Sequence, residues 1–243
     1  MCGISGILNC EGHDKSLRSK VLKMSSRLRH RGPDWSGIYC GKTAILAHER
    51  LSIVDPQSGK QPLFAPDGKQ VLAVNGEIYN HQEIRERYKG KYDFQTGSDC
   101  EVILPLYRDK GMNFLEEING IFAFVLYDEE KNCFMIGRDH IGIIPLYIGS
   151  DKEGRIYFGS ELKALEGFCD EYKTFPPGHY YKDGKFTCYR DMTHVDAVCE
   201  DDLETVCTNI REKLIAGVQK RLDADAPLGF LLSGGLDSSL VCA

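Results

Sequence analysis

The chain has 243 residues, enough for one to two domains and a sizeable core. Lys and Arg number 30 against 36 Asp and Glu, a net charge of −6 with the signs interspersed, so no basic patch recommends a nucleic-acid partner. With 42% hydrophobic and 27% charged residues and a mean hydropathy of −0.31, neither disorder nor a membrane protein is favoured; no apolar run approaches the ~20 residues of a transmembrane helix.

Gly3 to Leu8 alternates as a strand, and Lys15 to Leu28 sets Leu17, Val21, Met24 and Leu28 on one helical stripe. Thr43 to Ala47 and Gln70 to Val74 read as further strands, and Glu49 to Asp55 as an apolar strand headed by Arg50. Asp99 to Arg108 predicts a helix capped by Asp99 or Ser98, with Val102, Ile103, Leu106 and Tyr107 on its apolar face. Gly120 to Tyr127, a polar turn and Cys133 to Ile136 predict a buried hairpin, and Arg155 to Phe158 and His179 to Tyr181 add strands. Strands grouped with fewer helices favour an α+β fold over strict βαβ alternation.

Beyond Asp191 the composition changes. A polar, acidic stretch from Thr193 to Asp202 precedes an amphipathic helix over Asp202 to Arg221, with Leu203, Val206, Ile210, Leu214 and Val218 on one face. A short strand, Leu228 to Leu232, then leads into a glycine loop, Ser233-Gly-Gly-Leu-Asp237, and the first turn of another helix. One helix, one strand and a stub cannot close a core, so residues 193–243 read as a linker and the start of a second domain that continues elsewhere. The ten cysteines show no C-x-x-C pair and no zinc cadence, which favours reduced thiols in the cytosol.

The chemistry begins at Met1-Cys2-Gly3. Removing Met1 would place a thiol beside a free α-amino group, and because the two titrate near ~8.5 and ~7.7 to 8.0, the amine can act as general base for the thiol. Asn75-Gly76 reads locally as a hairpin turn. It also offers a side-chain amide and an unencumbered backbone N–H for a developing oxyanion. Arg50 suits the carboxylate of an amino acid and Asp99 or Glu77 its ammonium, although Arg50 as an edge residue and Asp99 as a cap are the plain alternatives. Arg29-His30-Arg31-Gly32-Pro33-Asp34 has turn chemistry, with two arginines within reach of an anion. The loop Ser233-Gly-Gly-Leu-Asp-Ser-Ser239 has the setting of a phosphate nest without being a Walker loop, and Asp237 could hold a phosphate-bound magnesium ion; a plain strand-to-helix turn is the alternative.

Together, Met1-Cys-Gly-Ile-Ser-Gly, Arg29-His-Arg-Gly-Pro-Asp, Arg50-Leu-Ser-Ile-Val-Asp, Asn75-Gly-Glu-Ile-Tyr-Asn, Asp99 and Ser233-Gly-Gly-Leu-Asp-Ser-Ser resemble glutamine-hydrolysing asparagine synthetases. The resemblance implies a class II glutamine amidotransferase domain over 1–192, an αββα sandwich of the N-terminal-nucleophile hydrolase type. Residues 193–243 would then be a linker and the first part of an α/β ATP-pyrophosphatase domain. It implies Cys2 as nucleophile, Asn75 and Gly76 as oxyanion donors, and Arg50, Leu51, Ser52, Ile53, Val54, Glu77 and Asp99, with Asn75 and Gly76, around the glutamine. Leu232, Ser233, Gly234, Gly235, Asp237, Ser238 and Ser239 would meet ATP, with Asp237 near Mg2+. The glutaminase step needs no cofactor, whereas ATP, Mg2+ and aspartate belong to the full-length enzyme, which would receive the ammonia through an internal tunnel. The implied protein is cytoplasmic, without nucleic-acid or membrane partners, and compatible with a homodimer. A catalytically silent relative serving as a binding or regulatory module is the rival reading, marked by retention of Met1.

Overall fold

The computed structural model describes residues 1–195 and 197–243; Asp196, within the acidic stretch, lies outside the described residues. In chain order the elements are β1 (Gly3–Leu8), α1 (Lys15–Ser26), β2 (Trp35–Cys40), β3 (Ala44–Arg50), β4 (Leu63–Phe64), β5 (Gln70–Ile78), α2 (His81–Tyr88), α3 (Ile103–Lys110), β6 (Gly120–Asp128), β7 (Cys133–Arg138), β8 (Tyr147–Ser150), β9 (Ile156–Gly159), β10 (Glu171–Thr174), β11 (His179–Lys182), β12 (Lys185–Cys188), α4 (Leu203–Lys220) and α5 (Leu236–Cys242). They fall into two compact units, Met1–Thr193 and His194–Ala243.

The first unit is built on two six-stranded sheets, ordered β10-β8-β9-β1-β3-β2 and β12-β11-β7-β6-β5-β4. Alternation along the strands assigns each sheet two faces. From β1, Ile4 and Leu8 point inward to meet Val71, Ala73, Ala123 and Val125 of the other sheet, while Ile7 points outward onto Leu17, Val21 and Met24 of α1. Likewise Leu72, Val74 and Ile78 of β5 turn outward onto Ile103, Leu104 and Leu106 of α3 and Ile84 of α2. Helix, sheet, sheet, helix is therefore the layer order, the αββα sandwich that the family resemblance implies. Asp14 caps α1 by accepting the Ser16 N–H at 2.6 Å, and the helix ends at Ser26, two residues before the predicted stop.

Three local expectations change. Asn75-Gly76 is not a turn: it lies inside β5, in register with Ala123 and Phe122 of β6. Leu51 to Val54 is a loop and not a strand, since β3 ends at Arg50. Its backbone bonds the site instead, Leu51 N–H going to the Cys2 sulfur and Ser52 N–H to Asp34 Oδ2. Asp99 opens a 3-10 turn, Asp99–Val102, ahead of α3, but its carboxylate accepts the Ile78 N–H at 2.8 Å and the Ser98 side chain makes no cap bond.

In the second unit Asp202 caps α4 by accepting the Thr205 N–H at 2.9 Å. The apolar face predicted for this helix remains exposed at Leu203, Ile210 and Leu214. Leu228 to Leu232 is not a strand, because a strand requires a neighbour and the described residues of this unit supply none.

Candidate active site

Inward-facing positions continue past the apolar core to the end of the sandwich, where they turn polar. Cys2 precedes β1 in phase with Ile4, Arg50 follows Leu46 and His48 on β3, and Asn75 follows Val71 and Ala73 on β5. All three line one cleft, together with Met1, Leu51, Ile53, Val54, Gln61, Gly76, Glu77, Ser98, Asp99, Cys100 and Ile121. Of the residues expected around an amino-acid substrate, Ser52 alone is absent from the lining.

The nucleophile candidate is held by the backbone of a single residue. Leu51 donates its N–H to Cys2 Sγ at 3.3 Å, and the Leu51 carbonyl oxygen accepts from the thiol at 3.5 Å. Burial pushes the thiol above its ordinary value; the Leu51 amide, the terminal ammonium and the Arg50 guanidinium pull the other way. Arg50 is only 4% exposed and gives three of its five donors to carbonyls of the loop that follows it, Val54 at 3.0 Å, Asp55 at 2.6 Å and Pro56 at 3.2 Å. It thus folds the loop over the cleft and retains two donors.

Gly76 owes its identity to the neighbouring strand. A Cβ there would collide with the Ile121 carbonyl oxygen and come within 2.6 Å of Phe122 Cα, so the need for glycine comes from the close approach of β6 and not from a substrate. Its partner Phe122 gives its C=O to Asp139 N–H at 2.8 Å and takes Asp139 Oδ2 on its own N–H at 3.4 Å. The Gly76–Phe122 pair is therefore of the non-hydrogen-bonded kind, and Gly76 N–H points away from β6. Along that outer edge of β5, side chains serve the neighbouring groups: Gln61 accepts Val74 N–H, His48 bonds Val74 C=O, Cys100 donates to Gly76 C=O and Asp99 accepts Ile78 N–H. The Gly76 N–H is left aimed from the edge that borders the cleft.

Asn75 is fully buried; its Nδ2 lies 3.5 Å from Ser160 Oγ, and its Oδ1 has no partner among the described residues. Burial raises the Asp99 carboxyl above the usual range, opposed by the Ile78 N–H. The Arg29–Asp34 block braces the site. Arg31 Nε donates to the Cys2 carbonyl at 2.8 Å and its Nη1 to Glu161 at 2.9 Å, Arg29 pairs with Glu49 at 2.9 Å, and Asp34 accepts Ser52 N–H. His30 also meets Glu161, at 2.9 Å. Sequence reasoning missed Ser160, Glu161, Gln61 and Cys100; only Cys100, beside Asp99, lay next to a residue already singled out.

The second unit presents Gly234 at φ +81° and Gly235 before α5, whose first turn has no side-chain cap bond. Ser238 and Ser239 hydroxyls donate to Gly235 C=O at 3.1 and 2.8 Å. The uncapped amides of this turn fit a phosphate. Asp237 offers one carboxylate, and no cluster of three metal-binding side chains occurs among the described residues; a single carboxylate fits magnesium carried mainly by a nucleotide's own phosphates.

Two stacked antiparallel sheets flanked by helices form the αββα sandwich of the N-terminal-nucleophile hydrolase fold, with the Cys2 thiol at its open end. The chain belongs to the glutamine amidotransferase domain family, which it matches over residues 1–187, and residues 209–243 match the asparagine synthase family. It is 53% identical to asparagine synthetase B [glutamine-hydrolyzing] of Escherichia coli, over 100% of this chain and 44% of that protein. It is 48% identical to asparagine synthetase [glutamine-hydrolyzing] 1 of Arabidopsis thaliana, over 100% and 42%. The chain thus spans less than half the length of these curated relatives. Among solved structures, glutamine phosphoribosylpyrophosphate amidotransferase of B. subtilis superposes with a TM-score of 0.65 at 22% identity, over 78% of this chain and 49% of that one, a likeness of fold.

Proposed function

We propose that residues 1–192 hydrolyse glutamine to glutamate and ammonia, and that in the full-length protein the ammonia serves ATP-dependent conversion of aspartate to asparagine. The observation carrying this reading is that Cys2, Arg50, Asn75, Gly76, Glu77 and Asp99, from separated segments, line one cleft. Met1 lines it too, so its removal frees the Cys2 nitrogen there.

In the proposed reaction the Cys2 sulfur attacks the side-chain carbonyl carbon of glutamine and its proton passes to the Cys2 α-amine. Asn75 Nδ2 and Gly76 N–H take the oxyanion. The C–N bond breaks as the ammonium returns its proton to the leaving nitrogen, giving ammonia and a thioester, and water then releases glutamate. The remaining donors of Arg50 take the α-carboxylate, and Asp99 and Glu77 take the α-ammonium, whose charge favours ionised Asp99. The backbone of Leu51, Ser52, Ile53 and Val54 closes the pocket.

Residues 193–243 are, on this reading, a linker and the start of the synthetase domain. Leu232, Ser233, Gly234, Gly235, Asp237, Ser238 and Ser239 would face the phosphates of ATP, and magnesium would supply charge neutralisation there. No helix among the described residues is long and apolar enough to cross a membrane, and a cytoplasmic setting suits a protein with ten free cysteines.

The test is ammonia release from glutamine by protein whose intact mass shows loss of Met1. Cys2→Ala is expected to bind glutamine and release no ammonia. Hydrolysis persisting in that variant, or Met1 retained in an active preparation, would reject the proposed nucleophile.

A further inference from the structure

Asn75 and Cys2 stand on different sheets, and their relative placement decides whether an oxyanion formed at the sulfur meets the amide. Ser160, the residue after β9, is one place where the two sheets touch through polar atoms, the His48–Val74 bond being another. It is fully buried. Its Oγ accepts the Ile4 N–H at 2.9 Å, two residues beyond Cys2, and its own N–H donates to the Ile4 carbonyl at 2.9 Å. The same Oγ faces Asn75 Nδ2 at 3.5 Å. Because Asn75 Oδ1 has no partner among the described residues, this hydroxyl is the contact that orients the carboxamide.

We infer that Ser160 is a positioning residue for glutamine hydrolysis: its hydroxyl ties the Asn75 side-chain amide to the strand bearing Cys2, holding one N–H of Nδ2 so that the other is presented to the oxyanion. This rests on the glutaminase reading above. A hydroxyl has two acceptor sites and one donor, so Ser160 can take both N–H groups at once. The arrangement spends no ligand-binding group, so its contribution belongs to the transition state. Losing it would let the carboxamide rotate about its last torsion, which is broad for Asn.

The experiment is a double-mutant cycle of Ser160→Ala and Asn75→Ala in chain lacking Met1, with kcat and KM for glutamine measured in all four proteins. Asn75→Ala alone is expected to lower kcat on the order of 100-fold, as for loss of one oxyanion donor. Ser160→Ala is expected to lower kcat by about 10-fold or more with KM nearly unchanged, as for displacement of a positioned group. In the Asn75→Ala background the same change is expected to cost less than about 2-fold, because the group it orients is gone. Should Ser160→Ala not fold, Ser160→Cys, close in shape and a poor acceptor, serves the same cycle. An equal fall in kcat in both backgrounds, or a change confined to KM, would overturn the inference while leaving the glutaminase reading intact. An Asn75→Ala protein with undiminished kcat would instead remove the oxyanion assignment itself, and the inference with it.

Discussion

One residue, Leu51, meets the sulfur of Cys2 with both of its backbone polar groups, the N–H at 3.3 Å and the carbonyl oxygen at 3.5 Å. Leu51 in turn begins the loop that Arg50 gathers by bonding Val54, Asp55 and Pro56 carbonyls. Loop order and thiol placement are thereby one event, and a change at Arg50 acts on both.

Arg50→Ala is expected to raise the KM for glutamine by the equivalent of about 1.5 to 3 kcal/mol, the range for hydrogen bonds to a charged group. Arg50→Lys should recover little, because one ammonium on a flexible stem cannot span the three carbonyls that the guanidinium fork reaches. Steady-state kinetics on both variants checks this; a lysine variant with native KM would show that charge alone suffices.

Gly76→Ala should lower stability by about 1 to 3 kcal/mol, the usual cost of overpacking, because the added methyl meets strand β6 backbone at Ile121 and Phe122. Thermal unfolding of the variant measures it. A native melting temperature would mean that β5 and β6 part more readily than their register suggests.

His48 is fully buried, with Nε2 2.7 Å from the Val74 carbonyl. Burial lowers its value to about 4, assisted by Arg50 and resisted by the Val74 bond. Since an unfolded histidine titrates near ~6.5, the unfolded chain takes up a proton that the folded protein refuses, and stability falls as pH drops from about 6.5 toward 4. His48→Gln keeps a donor for Val74 and should flatten the dependence across that window. Urea unfolding at several pH values would contradict this if both proteins showed the same slope.

Glu161 lies in a different window. Burial raises its carboxyl, but hydrogen bonds from Arg31, Lys163 and His30 outweigh it and bring the value down to about 2. Its stabilisation is full above the unfolded value near ~4.3 and disappears as pH falls through 2. Glu161→Gln should therefore be less stable than the parent at pH 7, with the gap closing between about 4.3 and 2. Melting temperatures of the pair across that range decide it; a gap unchanged at low pH would remove the carboxylate as its source. Because Arg31 also holds the Cys2 carbonyl, glutamine turnover should fall in the same variant.

Much of the candidate site could be read from residue identities, since a thiol beside a removable methionine, an amide next to a glycine, and isolated acids and arginines carry their chemistry wherever they fold. Strand alternation at Gly3–Leu8 and the Leu17, Val21, Met24 stripe likewise reflect local geometry. Asn75-Gly76 shows the boundary of such reading. By itself the dipeptide favours a turn, and only pairing with Ala123 and Phe122, more than forty residues away, keeps it extended. Turn propensity is a weak local preference, whereas burying β5 between two apolar layers engages the whole strand. For the same reason no neighbouring residue announces Ser160 or Glu161: Ser160 meets Ile4 and Asn75, and Glu161 meets Arg31, once β9 has paired antiparallel with β1. The sequence determined which groups can react and which stretches fold locally. The tertiary structure alone decided which of them meet, because contacts between distant strands follow from closing a shared core and leave no periodic mark on either segment.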